Sequence, residues 1–193
     1  FSGGRSVGER PVDWSCMSGL TRKMLATIRK QLPALKELEL KRTCGELSHG
    51  DFLLWMQYYN GVLRLFDAAG TKLREERQSV RVPYSAELTY KKGADVFTSG
   101  VLDISATGLS IEHNPALEID DVVGITLELP TRGFLGFKQD STVSLSAVCQ
   151  WTSAQEGKTA LSFLNVDDHQ RVVVVNFIFS EIERQAKRVL KEL

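Results

Sequence analysis

The sequence is short of most things that would announce an enzyme, a metalloprotein or a nucleic-acid binder. Its three cysteines, Cys16, Cys44 and Cys149, are odd in number and have no metal-ligand spacing. They encode neither a disulfide framework nor a zinc site, and free thiols in a reducing, cytoplasmic setting are expected. The three histidines, His49, His113 and His169, are scattered without cysteine or carboxylate neighbours at ligand spacing, so structural or surface roles are expected and metal binding is not. Net charge is missing too. The 24 Lys and Arg balance 24 Asp and Glu, which removes any general attraction to nucleic acid or to an anionic membrane and makes any anion site a local one. No apolar run approaches the roughly 18 residues of a membrane span, and the N-terminus carries no apolar signal core. No nucleophile with its base, metal cluster or placed pair of carboxylates argues for catalysis.

What is present is ordinary globular material: 193 residues, 42% hydrophobic and 25% charged, enough for one substantial core and a smaller subdomain. Residues 1–15, with Gly3, Gly4 and Gly8, read as a flexible segment, because no Lys-Ser/Thr follows to make a phosphate loop. Residues 16–70 read as helical. Leu20, Met24, Ile28, Leu32 and Leu35 recur at helical spacing over 21–41, where Pro33 is expected to kink or split the helix. A second helix starts at the N-cap Ser48 and shows one apolar face of Phe52, Trp55, Met56, Tyr59, Val62, Leu63 and Phe66 before Gly70. A polar linker, 71–81, leads into a barrel-and-helix region, 82–193.

Strand-like runs follow at 82–92, 95–102 and 109–113. Then come an alternating run through Val122, Val123, Ile125, Leu127 and Leu129, a strand ending in Cys149-Gln150-Trp151, and a last strand, Thr159-Ala160-Leu161-Ser162-Phe163. Val172, Val175, Phe179, Ile182, Ala186, Val189 and Leu193 keep a 3-4 spacing behind the cap Asp167-Asp168. They predict a terminal helix covering the open side of the barrel and then packing on the N-terminal helices or on a second copy. Trp14, Trp55 and Trp151 read most simply as core residues, with stacking on a base the alternative for a tryptophan near the barrel rim. The loop 131–140 presents Phe134, Leu135 and Phe137, an apolar tip that is either folded onto the barrel, the preferred reading, or a partner contact.

Chemistry concentrates in two short segments, Arg77-Gln78-Ser79-Val80-Arg81 and Asp103-Ile104-Ser105-Ala106-Thr107-Gly108. Arginine can grip a phosphate, pair with the O6/N7 edge of guanine or stack on its face. The two oxygens of an aspartate match adjacent N–H donors on guanine's Watson–Crick edge, serine adds a hydroxyl, and glycine permits a tight turn or close approach. Each segment alone has a bland explanation: arginines paired with Glu75 and Glu76, or an Asx turn between strands. Together, and in this order of elements, they resemble the PilZ family, β-barrel receptors for the bacterial second messenger cyclic di-GMP, which carry RxxxR followed by [D/N]xSxxG.

The resemblance covers residue 76 to the terminal helix. It departs from the family at Ala160, where glycine is frequent, and at Glu75 and Glu76, where a basic or apolar residue is common. It implies an α+β fold: an antiparallel, PilZ-type six-stranded β-barrel with a C-terminal helix, preceded by a small helical N-terminal region. It also implies cyclic di-GMP as ligand, with no further cofactor and no metal, held by Arg77, Arg81, Asp103, Ser105 and Gly108, with Arg74 as auxiliary. Expected partners are cyclic di-GMP, a protein reached through the helical region, and a second copy through the terminal helix. Membrane insertion and nucleic acid are not expected. A ligand-independent adaptor is the alternative, and roles in motility, adhesion, exopolysaccharide production or virulence are implied without a choice among them.

Overall fold

In a computed structural model of the protein the described residues are 21–68, 79–132 and 138–192. Two helices, α1 (Arg22–Thr43) and α2 (His49–Ala68), precede six strands, β1 (Arg81–Lys92), β2 (Asp95–Ser105), β3 (Gly108–Glu112), β4 (Val122–Arg132), β5 (Lys138–Ser153) and β6 (Lys158–Leu164), and a last helix, α3 (Asp168–Glu192). The strands close into an antiparallel barrel in the order β1-β2-β3-β6-β5-β4. Alternation decides which side chains fill it. Val123, Ile125, Leu127 and Leu129 of β4 point inward and are buried, as are Ile104 of β2, Leu109 and Ile111 of β3 and Leu161 of β6. Val122 breaks the expected run and faces solvent.

The barrel is least complete where β1 meets β4, since these strands pair only through Thr89, Tyr90 and Lys91. Tyr84 bridges the gap, its hydroxyl donating to the Glu128 carbonyl at 2.8 Å, and its ring meets Phe177 of α3 edge-on at 4.6 Å. Thus α3 covers the seam between β1 and β4. Its apolar stripe, Val175, Phe179, Ile182, Ala186 and Val189, is buried within the chain, and α3 packs on α1 and α2 as well as on the barrel. The packing on the N-terminal helices expected of this stripe is thus present. Val172 lies outside it, exposed, and Leu193 lies outside the described residues.

Of the two effects expected of Pro33, a kink or a split, the second does not occur: the proline neither splits α1 nor ends it. An interior proline costs about 3 kcal/mol, but Leu25, Ile28, Leu32, Leu35 and Leu38 are all buried, and each such side chain contributes about 1.5–3 kcal/mol. Thr21 caps the start, accepting from the Met24 N–H at 3.2 Å, and Gly45, at φ +73°, takes the left-handed conformation that ends the helix. In α2, Ser48 caps as expected through the Asp51 N–H. The apolar face is displaced, however: Trp55, Tyr59, Val62, Leu63, Leu65 and Phe66 are buried, while Phe52, Leu53, Leu54 and Met56 are exposed.

Residues 131–132 and 138–140 of the expected loop are strand backbone, because the β4–β5 ladder continues through Thr131–Gln139 and Arg132–Lys138. Residues 133–137, with Phe134, Leu135 and Phe137, lie outside the described residues, as do 1–20 with Cys16 and Trp14. No helix among the described residues is long and apolar enough to cross a membrane.

Candidate functional site

Arg81 is the first residue of β1, and Val82 beside it points into the barrel. Alternation therefore sends the guanidinium outward. Asp103 of β2 also points outward, one residue before the buried Ile104. Arg81 Nη1 donates to Asp103 Oδ1 at 2.9 Å and to Ser110 Oγ at 3.0 Å. The ion pair is partly open, with side-chain exposures of 22% and 18%. Segments far apart in sequence thus meet on one outer face, joined by hydrogen bonds that a ligand with competing charges can exchange.

Ser105 and Gly108 stand on either side of the tight turn between β2 and β3. Both residues have a place in the barrel itself. Ser105 is fully buried, and its hydroxyl donates to the Gly108 carbonyl at 3.0 Å while accepting from the Thr107 N–H at 3.4 Å. It braces the turn. Gly108 is needed by the protein itself, because a Cβ there would meet the backbone of β6. Thr107, at the tip, is exposed, and its carbonyl accepts from the Phe163 N–H at 2.9 Å. Arg77 and Arg74 lie outside the described residues.

The register adds residues that the two motifs do not contain. Asp103 lies opposite Ser110, Ser110 opposite Ala160, and Ala160 opposite Trp151. These four form one row across β2, β3, β6 and β5. Trp151 is not a core residue: it is 38% exposed. A β-bulge between Cys149 and Trp151 breaks the alternation that would have put both side chains inside the barrel. In this row Ser110 and the small Ala160 lie between Asp103 and Trp151. Ser110 could have been found from its position two residues after Gly108; the outward orientation of Trp151 could not, without the bulge.

Other titratable groups stand apart from this face. His113 Nδ1 is 3.0 Å from Thr152 Oγ1, and His169 is exposed at the start of α3. Burial inside the barrel pushes the Cys149 thiol up from its ordinary value, the opposite of what a reactive thiolate needs. Cys44 and Cys149 are both free. Among the described residues no group of three or more His, Cys, Asp or Glu side chains could hold a metal ion.

No curated protein matches the sequence. Among solved structures the chain is similar to the PilZ domain, with c-di-GMP, of YcgR from Escherichia coli, at 17% identity over 62% of this chain and 100% of that one, TM-score 0.47. It is similar to the K. pneumonia MrkH–c-di-GMP complex at 15% identity over 61% of this chain and 56% of that one, TM-score 0.42. The corresponding values for the Bacillus subtilis inhibitor of motility MotI/DgrA are 13%, 62%, 54% and 0.42. The PilZ domain model matches residues 75–180. That match covers more than half of the sequence and contains both the arginine segment and the Asp/Ser/Gly turn, and the chain belongs to the PilZ domain family.

Proposed function

We propose that the protein is a non-enzymatic, cytoplasmic receptor for cyclic di-GMP that binds on the outer face carrying Arg81, Asp103 and Trp151. The observation that carries the reading is the direct contact between the two family motifs, Arg81 Nη1 to Asp103 Oδ1 at 2.9 Å. Arg81 and Arg77, with Arg74 as auxiliary, clamp phosphate and guanine. Asp103 reads the Watson–Crick edge. Trp151 offers its face to a base across Ala160, while Ser105 and Gly108 hold the turn that aims Asp103.

In the free protein Arg81 and Asp103 satisfy each other. A partly exposed ion pair contributes about 0–1 kcal/mol, whereas a hydrogen bond to a charged group contributes about 1.5–3 kcal/mol. A ligand that brings a phosphate to Arg81 and N–H donors to Asp103 therefore replaces one modest interaction with two stronger ones. Arg77 belongs to the linker and Asp103 to the barrel, so a ligand spanning them draws the linker onto the barrel and repositions α1 and α2. That movement is the output, read by a protein partner at the helical region. The exposed Phe52, Leu53, Leu54 and Met56 of α2 support a protein-binding surface there, and would serve a ligand-independent adaptor equally well.

Isothermal titration decides between the two. Saturable binding of cyclic di-GMP, with no binding of GTP and with loss of at least tenfold in a folded Arg81→Ala protein, is expected. Absence of binding by the parent protein would leave the adaptor.

A further inference from the structure

The helical region and the ligand face are joined by a narrow chain of polar contacts through Ser79, the middle residue of the arginine segment. Tyr59 of α2 donates its hydroxyl to the Ser79 carbonyl at 3.4 Å, twenty residues along the chain. The Ser79 hydroxyl lies 3.5 Å from Thr107 Oγ1, and Thr107 Oγ1 lies 3.5 Å from Ser105 Oγ. Tyr59 and Ser79 are both buried, where polar groups are costly to leave without partners. On the helical side the Tyr59 ring is fixed by stacking on Trp55 at 4.9 Å. The Trp55 indole N–H in turn donates to the buried Glu39 of α1 at 2.6 Å, and Glu39 is held in place by Arg42.

We infer that Tyr59 is a positioning residue for the ligand site: its contact with Ser79 sets residues 79–81 against the Thr107 turn and ties the packing of α1 and α2 to occupancy of the outer face. This inference rests on the receptor reading above and names the route by which that receptor reaches its helices. Two features support it. The buried Val80 and the Ser79 carbonyl fix the backbone immediately before Arg81, so a change there redirects the guanidinium. The contacts at Ser79 are also longer than the 2.5–3.0 Å of a strong O–H···O bond, so they yield to a modest rearrangement, as a coupling element must. Coupling is reciprocal: whatever loosens Ser79 from α2 alters ligand affinity, and whatever ligand does to Ser79 alters α2.

The test is a Tyr59→Phe protein, which keeps the stack on Trp55 and loses only the hydroxyl, with Ser79→Ala as a second variant. Cyclic di-GMP is titrated into parent, both variants and the double variant, and amide exchange in α2 is followed with and without ligand. Affinity falls about three- to tenfold in Tyr59→Phe. Ligand slows exchange around Tyr59 in the parent but not in the variant, and the two substitutions together cost less than their sum because they break one chain. Parental affinity and parental α2 protection in Tyr59→Phe overturn the inference while leaving the receptor intact. A parent that does not bind cyclic di-GMP overturns both.

Discussion

A Cβ on Gly108 would stand 2.3 Å from the carbonyl oxygen of Leu161 and 3.2 Å from the Cα of Ser162. Both are backbone atoms of the neighbouring strand, which cannot rotate away as a side chain could. Gly108→Ala must therefore push β3 from β6. The expected cost sits at the upper end of overpacking, about 2–3 kcal/mol, and lowers Tm by several degrees. Calorimetry of the folded variant checks this. A Gly108→Ala protein that melts like the parent but no longer binds cyclic di-GMP would show that the glycine serves the ligand and not the barrel.

Asp103→Asn sets two effects of opposite sign against each other. It frees Arg81 from its ion pair, worth about 0–1 kcal/mol at a partly exposed site, and it replaces one of two acceptors with a donor. Recognition of a base edge by a matched bidentate pair is worth about 1–3 kcal/mol, so the second effect wins and cyclic di-GMP affinity falls by about tenfold. If Asp103→Asn binds more tightly, the carboxylate holds Arg81 back and does not read guanine.

Trp151 stands in the row that begins at Asp103. Stacking of a base on an aromatic ring contributes about 1–3 kcal/mol, so Trp151→Ala weakens cyclic di-GMP binding about tenfold or more, while Trp151→Phe retains most of it. Titration of the two variants checks the assignment. Equal affinity in Trp151→Ala would confine the site to the β1–β3 side of the row.

Much of this was legible from local pattern. The alternation of Val123, Ile125, Leu127 and Leu129 fixed the inward face of β4, the 3-4 spacing from Val175 to Val189 fixed α3, and Arg81 and Asp103 came from their motifs. What escaped depends on contacts distant in sequence. Pro33 sits inside a helix because packing by five buried side chains outweighs its local cost. Trp151 faces solvent because a bulge shifts the register by one residue, and one residue exchanges the two faces of a strand. The burial of Ser105 and the crowding at Gly108 follow from the approach of β6 to β3, which no spacing within 103–108 encodes.

Asp121 makes the protein sensitive to acid just before the start of β4. The Lys92 ammonium, donating to Asp121 Oδ2 at 2.6 Å, and the Glu118 N–H, at 2.7 Å, hold its carboxyl below the ordinary 3.8. A folded-state value below the unfolded one gives stability that is present above the ordinary carboxylate range and is lost as pH falls through the lowered value. Asp121→Asn therefore lowers Tm at neutral pH, and the gap from the parent narrows below about pH 4. A gap that stays constant from pH 7 to pH 3 would mean that the ionised form is not what ties Lys92 to this loop.

Tyr90 carries a hydroxyl that no described residue satisfies. Its side chain is fully buried, its ring stacks on Phe97 at 5.2 Å, and its oxygen has no hydrogen-bond partner among the described residues. An unsatisfied buried hydroxyl costs about 1–3 kcal/mol, and the void left by one oxygen atom is smaller than a methyl group, so its cost stays below about 1 kcal/mol. Tyr90→Phe is expected to stabilise the protein by about 1 kcal/mol and raise Tm by about 2–4 °C. Burial also raises the Tyr90 pKa above its ordinary 10.0. The unfolded chain therefore ionises first as pH climbs, and the parent loses stability in alkali that the phenylalanine variant keeps. The advantage of Tyr90→Phe over the parent should widen above about pH 10. A variant that melts below the parent would show that the hydroxyl has a partner inside the barrel, such as an ordered water.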